Sequence, residues 1–402
     1  MGKNSRGNVK SLPKHTMTIK IGIDGNEANT KKRVGIGQYA FHTITSLYAL
    51  RKKEKNTSYR DVSFEIYLKD KPLSDLPTSA PWWKYKVFGP SKMWTQFALP
   101  FHLTLFRSSN IFFSPSHYAP RFLREPSVIS IMDLSFFHFP ELFNKKDLYQ
   151  LENWTSYSVK NASKIFTISQ FSKEEIIKYY QVNPDSIVVT YPGFDDNLYK
   201  KREVLKKEKE AVKKKFCVGE NFILFVGTIQ PRKNIVKLLD AFERIINSGQ
   251  FDNFQLLLVG KKGWMYEGIL THKKYLMEEK KVIFTDFAED EDLSLLYNLA
   301  SCFILPSLYE GFGIPVIESL ACGCPAVLSN VSSLPEIAGD AACFIDPTDS
   351  TSIEEGIKKV LTDALYRKNL IQKGFEQIKK FSWDLGGEQT FKTLIEVATQ
   401  PK

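Results

Sequence analysis

Short apolar runs alternate with amphipathic stretches along most of the chain. In the first half the apolar runs are TIKIGID, SFEIYLK, NIFFSPS, PSVISIMDLS, SKIFTIS and SIVVTYPG. In the second half NFILFVG, FQLLLVG, KVIFTDF, SCFILPS and PAVLS alternate with helical stretches such as KNIVKLLDAFERII. Strand–helix alternation predicts parallel βαβ units, and near-continuous apolar strands need cover on both faces of a sheet. The pattern therefore predicts two doubly wound α/β domains.

The boundary between the domains is predicted near Pro192-Gly193. A basic run follows this turn, with nine Lys/Arg and three Glu between residues 200 and 215. This run is typical of a solvated surface helix, and contact with an anionic surface is the alternative. We expect a disordered basic tail over 1–17, domains over 18–193 and 194–380, and a C-terminal helix over 381–402 that packs back on the first domain.

Composition narrows the class of protein. The chain has 402 residues and a formal net charge of +10, which favours a phosphate-bearing substrate, an acidic membrane surface or nucleic acid as partner. No recognisable nucleic-acid module is present, so we expect no nucleic-acid partner. The five cysteines show no CxxC spacing. No apolar run reaches the ~20 residues needed to span a bilayer, and the first sixteen residues lack a signal-peptide core. We expect a cytoplasmic protein.

The stretch PSLYEGFGIPVIESLACG, residues 306–323, predicts a ligand site. It follows the apolar strand FILP, and in open α/β sheets ligands bind outside the carboxyl ends of strands. Gly311 and Gly313 allow close approach to the backbone. Pro315 suits the first turn of a helix and Gly323 the position past its end. The free N–H groups at such a helix start suit a diphosphate.

Two glutamates flank this turn. Glu318 lies one turn into the predicted helix, and its two oxygens can accept hydrogen bonds from a vicinal diol such as a ribose. Glu310 lies on the loop and could bind another hydroxyl group. The alternative is a pair of surface glutamates that favour a helix N-terminus for electrostatic reasons. The first arrangement would hold a nucleotide sugar.

Several of these segments resemble a known family. EGFGIPVIE resembles the glutamate–seven–glutamate motif of the family 4 retaining glycosyltransferases, which have the GT-B fold of two Rossmann-like domains facing a central cleft. FVGTIQPRKNIVKLLDAF is similar to the first strand–loop–helix of their donor domain, and VGKKGW, VIFTDFAEDEDLSLLYNLASCFILPS and PAVLSNVSSLPEIAGDAACFIDP match in order. The resemblance covers most of residues 18–395. It is strongest to bacterial mannosyltransferase-like members that build surface polysaccharides.

The resemblance implies a retaining transfer of a hexose, with mannose from GDP-mannose as the expected donor, to a saccharide or lipid-linked acceptor. The first domain would bind the acceptor and the second the nucleotide-sugar donor, with no metal and no cofactor. The alternatives are a UDP-glucose-dependent glucosyltransferase and a catalytically inactive sugar-nucleotide-binding relative. The implied catalytic residues are Glu310, Lys233 and Asp133. The implied donor-binding residues are Gly227, Thr228, Arg232, Lys233, Gly260, Phe287, Glu310, Gly311, Phe312, Gly313, Ile314 and Glu318.

Two departures from the family pattern affect the site. Thr228 follows Gly227 where many relatives have arginine, which removes one charge from the phosphate site unless Arg232 supplies it. Met132 stands where relatives often have the histidine of an HDL motif, although Asp133 remains. Methionine cannot donate a hydrogen bond. His117 or His138 could reach the same space, and packing among aromatic residues is the alternative role for either.

Three further segments carry predictions of their own. Gly35 and Gly37, in RVGIGQY, are expected at a lip of the cleft together with His117, and a helix is expected from Gln38. AEDEDL could hold a metal, but acidic residues that favour a helix start are the better explanation.

The last of these segments is APWWKYKVFGPSKMWTQF, which interleaves aromatic residues with lysines. Trp82, Trp83 and Trp94 could seat the first domain on an anionic membrane at its inner face. Packing within the domain is the alternative.

Overall fold

The computed structural model describes residues 19–33, 35–53, 61–106, 109–263 and 265–400. The predicted tail over 1–17 lies outside these residues. Two sheets of parallel strands form the framework, and each is covered by helices on both faces, so the predicted pair of doubly wound α/β domains is confirmed.

The first sheet has the strand order β3-β2-β1-β4-β5-β6-β7 and all its neighbours are parallel. Its strands are β1 (Ile19–Asp24), β2 (Val62–Leu68), β3 (Trp83–Val87), β4 (Ile111–Ser114), β5 (Ser127–Ile131), β6 (Lys164–Thr167) and β7 (Ile187–Val189). The helices of this half are α1 (Ile36–Lys53), α2 (Leu99–Leu105), α3 (Ser135–His138), α4 (Lys145–Asn161) and α5 (Gln170–Tyr180).

The second sheet has the order β10-β9-β8-β11-β12-β13, again parallel throughout. Its strands are β8 (Asn221–Val226), β9 (Phe254–Val259), β10 (Val282–Thr285), β11 (Cys302–Leu305), β12 (Ala326–Ser329) and β13 (Ala342–Ile345). Its helices are α6 (Lys206–Phe216), α7 (Ile235–Asn247), α8 (Tyr266–Thr271), α9 (Lys274–Glu278), α10 (Asp290–Leu299), α11 (Ile314–Ala321), α12 (Leu334–Ala338), α13 (Ser350–Thr362) and α14 (Ala364–Gln377).

The last helix, α15 (Trp383–Thr399), packs against α1 of the first domain. Phe391, Leu394 and Val397 of α15 are buried in the apolar core that also contains the β1 and β2 side chains. The chain therefore crosses between the domains at two places, near Gly193 and near Trp383, and these two segments are in contact. A Cβ atom on Gly193 would lie 2.2 Å from the backbone nitrogen of Trp383, so only glycine fits this contact.

The basic run over residues 200–215 forms a surface segment that includes α6. Val212 and Phe216 face inward and are buried. Lys209 forms an ion pair with Glu220 at 2.8 Å, and Lys215 forms one with Asp292 at 2.5 Å. Part of the positive charge of this run is thus neutralised within the second domain.

Candidate functional site

A cavity of about 680 Å³ lies between the two sheets, bounded by the loops at the carboxyl ends of their strands. This central cavity collects most of the residues singled out in the sequence. They are Gly35, His117, Met132, Asp133, Gly227, Thr228, Arg232, Lys233, Gly260, Phe287, Glu310, Gly311, Phe312, Gly313, Ile314 and Glu318. They come from segments up to 283 positions apart in the chain (318 − 35), and the parallel topology of the two sheets brings them together.

Gly37 is not among the lining residues. Helix α1 begins at Ile36, earlier than the predicted Gln38, and this places Gly37 in its buried first turn. A Cβ atom there would lie 3.2 Å from the carbonyl oxygen of Glu27, so the glycine serves packing against the preceding loop. Gly35, with φ +50°, does border the cavity.

Three charged side chains meet at the floor of the central cavity. The Glu310 carboxylate accepts hydrogen bonds from the Lys233 ammonium group, from the Ser307 hydroxyl at 2.6 Å and from the Arg232 guanidinium at 3.3 Å. Burial raises the pKa of Glu310, but the charges of Lys233 and Arg232 outweigh it and bring the pKa to about 2. Burial lowers the pKa of Lys233, and the Glu310 charge opposes that change. Glu310 is therefore ionised and lies between two cations.

The loop that carries Glu310 is held by serines that the sequence analysis did not single out. The Glu310 backbone N–H donates to the Ser332 hydroxyl at 3.0 Å, and the Ser333 hydroxyl donates to the Glu310 carbonyl at 2.9 Å. Helix α11 begins directly after this loop, with Pro315 in its first turn and Gly323 just past its end, as predicted. Gly313, Ile314 and Pro315, at the start of α11, line the cavity.

Glu318 lies one turn into α11 and faces the same cavity. Its carboxylate accepts a hydrogen bond from the Tyr297 hydroxyl at 3.1 Å. Burial raises the pKa of Glu318 from 4.5 to about 8, and the Tyr297 hydrogen bond lowers it only in part. The sequence analysis missed Tyr297, because its place within the apolar helix α10 is typical of a core residue.

Met132 lines the central cavity beside an imidazole. Its backbone N–H donates to Nε2 of His117 at 3.2 Å, so Nδ1 of His117 carries the proton in this arrangement. No protein group within the described residues accepts from Nδ1, although it is buried. Asp133 accepts a hydrogen bond from the Ser135 backbone at 2.9 Å. His138 contacts Glu175 instead and does not line the cavity.

The two domains touch across the cleft at several points. The Ser169 hydroxyl donates to the Gly311 carbonyl at 2.7 Å, and the Tyr309 hydroxyl accepts from the Leu134 backbone N–H at 3.2 Å. A Cβ atom on Gly311 would lie 2.5 Å from the carbonyl oxygen of Met132. The domains are therefore closed on one another in this structure.

The acidic segment AEDEDL does not form a metal cluster. Asp292 pairs with Lys215, and Asp290 accepts a hydrogen bond from the Tyr199 hydroxyl at 3.2 Å. In the part of the chain that the structure describes, no three His, Cys, Asp or Glu side chains are grouped so that they could hold a metal ion. Asp290, Glu291 and Asp292 occupy the first turn of α10, as predicted for acidic residues at a helix start, although the side chain of the preceding Glu289 makes no capping hydrogen bond.

Two Rossmann-like sheets that enclose a cavity between their carboxyl edges are the arrangement of the GT-B fold. Solved structures support this fold. Sucrose-phosphate synthase from Thermosynechococcus elongatus superposes with a TM-score of 0.70 at 16% identity, over 94% of this chain and 99% of that one. Anabaena HepE in complex with UDP and glucose gives 0.69 at 18% identity, over 94% and 99%. At such identities the likeness concerns the fold alone.

Sequence comparison gives the family. Residues 206–377 match the family described as glycosyl transferases group 1. The O-antigen chain mannosyltransferase B of Escherichia coli is 34% identical over 281 residues, which are 70% of this chain and 72% of that protein. The chain belongs to the glycosyl transferases group 1 family and is a hexosyltransferase.

Proposed function

We propose that the protein transfers a mannosyl group from GDP-mannose to a saccharide or lipid-linked acceptor during the synthesis of a surface polysaccharide, with retention at the anomeric carbon. The observation that carries the proposal is the pair of cations, Lys233 and Arg232, beside the start of α11 in the central cavity. Because the donor would bind there, we call this cavity the donor cavity. The similarity to an O-antigen mannosyltransferase supports mannose as the transferred sugar.

The donor would lie along the second domain. The diphosphate would contact the backbone at Gly311 and Gly313 and the ammonium group of Lys233, and the ribose diol would donate to Glu318. Arg232 would supply the charge that Thr228 cannot, since both line the same cavity. The base would pack near Phe287, whose ring is 45% exposed. Gly227 and Gly260 border this space, and only glycine fits at 260 because an added Cβ atom would lie 2.0 Å from the Gly227 carbonyl oxygen.

Bond cleavage leaves negative charge on the departing diphosphate. Lys233, Arg232 and the helix start would stabilise that charge, and one such donor contributes about 10²–10³ to the rate in other enzymes. Glu310 would orient the two cations and contact the donor sugar. The acceptor hydroxyl would attack from the same face and lose its proton to the leaving phosphate. Asp133 and His117, on the opposite wall, would contact the sugar. Neither a metal ion nor a cofactor takes part in this scheme.

The acceptor side would rest on an anionic membrane. Phe97, Phe101 and Leu105, on and before α2, are 64%, 68% and 57% exposed, and Lys84 and Lys86 of β3 are exposed nearby. Apolar and aromatic side chains beside lysines favour a membrane interface. The residues differ from those predicted, because Trp83 and Trp94 are buried and Trp82 is partly buried. None of the described helices is long and apolar enough to cross a membrane.

The test is direct. Purified protein is incubated with GDP-mannose, UDP-glucose or ADP-glucose and a mannoside acceptor, and the released nucleotide is measured. We expect release of GDP alone, loss of release in Lys233→Ala, and an α-linked product by NMR. Release of UDP instead would make the protein a glucosyltransferase. Nucleotide binding without release would identify an inactive sugar-nucleotide-binding relative.

A further inference from the structure

A second cavity, of about 400 Å³, lies in the first domain. This aromatic cavity is lined mainly by Tyr118, Phe122, Tyr149, Trp154 and Tyr157. Its polar lining atoms come from the tyrosine hydroxyls together with Thr95, Gln96 and Arg121. Neither the donor nor the leaving group in the proposed reaction uses it.

The aromatic cavity adjoins the donor cavity. Tyr118 lines both of them. Helix α4 also borders both, because Leu151 faces the donor cavity while Tyr149, Trp154 and Tyr157 face the aromatic cavity. A chain-like molecule whose end lies in the donor cavity would therefore pass over Tyr118 and continue along α4.

Phe122 and Tyr149 of this cavity are exposed, whereas its other three rings are partly buried and contact neighbouring side chains. The Tyr118 ring meets the Trp154 ring edge-on at 5.5 Å between centroids, and the Arg121 guanidinium lies 5.2 Å from the Tyr157 ring centroid. Phe122 is 79% exposed and has φ +62°, a left-handed conformation that bulky residues rarely adopt. The backbone N–H of Phe122 donates a hydrogen bond to the Tyr157 hydroxyl at 3.2 Å.

We propose that the aromatic cavity binds the sugar units of the acceptor chain that precede the residue being glycosylated. This inference rests on the proposed glycosyl transfer. A sugar ring offers an apolar C–H face to an aromatic ring and hydroxyl groups at its edge. The cavity has the matching combination of aromatic faces with hydroxyl, amide and guanidinium groups. An alkyl or prenyl chain would leave those polar groups without partners.

Two variants remove rings with little risk to folding. Tyr149→Ala changes a side chain that is 62% exposed on α4. Phe122→Gly suits the left-handed backbone, because glycine adopts positive φ readily. The matched control is Tyr275→Ala, which removes an exposed tyrosine from α9 in the second domain.

The experiment uses the full chain and α-linked manno-oligosaccharides of one to five units. Their affinity is measured by calorimetry without donor, and their KM and kcat with GDP-mannose. We expect affinity to rise about tenfold or more from one unit to four in the wild type and in Tyr275→Ala, since the added rings gain contacts. In Tyr149→Ala and Phe122→Gly this gain should fall below about threefold, with kcat on the single unit unchanged.

Other outcomes overturn the proposal. One is an affinity that does not depend on oligosaccharide length. A second is an equal gain in all three variants. In a third, Tyr149→Ala and Phe122→Gly lose binding to vesicles that contain polyprenyl phosphate but keep the affinity gain with oligosaccharide length, which would assign the cavity to lipid. GDP affinity, measured in parallel, reports on the donor site, so failure of the aromatic cavity is distinguishable from failure of the proposed function.

Discussion

The carboxylate of Glu336, in the second domain, accepts a hydrogen bond from the backbone N–H of Gln170, in the first, at 2.7 Å. It also accepts from the Phe171 N–H at 3.0 Å and from the Tyr191 hydroxyl at 2.9 Å. Gln170 begins α5, so a side chain of one domain satisfies free N–H groups at the start of a helix of the other. This contact exists only while the domains are closed.

We expect Glu336→Ala to weaken the closed arrangement without unfolding either domain. A helix-start contact of this kind contributes about 1 kcal/mol, and closure completes the site. The donor KM should rise several-fold, and small-angle scattering should show a larger radius of gyration. Glu336→Gln keeps one acceptor oxygen, so its donor KM and radius of gyration should lie between those of the wild type and Glu336→Ala. Unchanged scattering and kinetics in Glu336→Ala would show that other contacts hold the domains together.

Gly311 gives a second, steric test of closure. An added Cβ atom would lie 2.5 Å from the Met132 carbonyl oxygen and 2.9 Å from the Cβ of Asp133, both in the opposite domain. We expect Gly311→Ala to lower kcat/KM by about tenfold or more, because the reacting groups can no longer approach. Melting temperature should change little. Gly268→Ala, where the added atom meets nothing within 4 Å, is the control and should keep full activity.

The Lys233–Glu310 contact predicts opposite effects on stability and on nucleotide binding. Glu310→Gln removes the carboxylate beside Lys233 and Arg232, and breaking such a buried pair costs about 3–5 kcal/mol. The melting temperature of the free protein should fall. A nucleoside diphosphate supplies the missing negative charge, so GDP should bind at least as tightly as in the wild type and stabilise the variant more. Transfer should fall by about 10²-fold.

The comparison variant for this contact is Lys233→Met, in which GDP binding should weaken. Calorimetry would measure the GDP affinity of Glu310→Gln and Lys233→Met, and thermal unfolding would measure their melting temperatures. Loss of GDP binding in a folded Glu310→Gln would instead mean that Glu310 contacts the nucleotide directly.

Glu318 makes nucleotide affinity depend on pH. Its pKa is raised to about 8, so near pH 7 the free protein holds the carboxyl mainly protonated. A ribose diol donates to the ionised form, so binding should release a proton. We expect affinity to rise by up to about tenfold per pH unit below pH 8 and then to level off. Calorimetry in buffers of different ionisation enthalpy measures the proton. Glu318→Gln should release none.

Glu318 also makes the stability of the free protein depend on pH, and this stability falls with rising pH whereas nucleotide affinity rises. Because the pKa of Glu318 is higher in the folded state than its usual 4.5, the folded protein binds the proton more tightly. The contribution of this group to the free energy of unfolding is present in full below pH 4.5 and is lost as pH rises through about 8. The difference between wild type and Glu318→Gln across this range should follow that course.

The exposed side chains of α2 predict membrane binding. Phe101→Asp with Leu105→Asp should reduce sedimentation with anionic vesicles by about tenfold or more, since each buried side chain contributes about 1.5–3 kcal/mol. Leu365→Asp, at a leucine 79% exposed on α14, is the control. If the double variant and Leu365→Asp sediment equally, or if the wild type does not sediment with vesicles at low salt, the membrane contact is no part of the proposed function.

The sequence predicted both sheets and the donor cavity because these depend on local patterns. An apolar run identifies a buried strand, and a glycine-containing loop after it identifies a ligand edge. Strand β3 was missed because Lys84 and Lys86 interrupt its apolar pattern at the edge of the sheet. Of the tryptophans predicted for a membrane face, Trp83 and Trp94 are core residues and Trp82 is partly buried, since interleaved lysines do not reveal which way a tryptophan points.

Partnerships across the fold could not be predicted in this way. Glu336 meets Gln170 over 166 positions, and Lys233 meets Glu310 over 77. Nothing in the neighbouring sequence of either glutamate indicates its partner. Tyr297, which holds Glu318, has the local pattern of an ordinary apolar helix position. Only the packing of the two sheets and the closure between them determine these pairs.

The return of α15 to the first domain has a consequence for how the chain matures. All the strands of the first sheet are complete once residue 189 has been synthesised, yet Phe391, Leu394 and Val397 fill part of its core. During synthesis the surface of α1 therefore stays uncovered until α15 has left the ribosome. The second domain, whose elements are contiguous in the chain, can fold first, and the amino-terminal domain reaches its native state last.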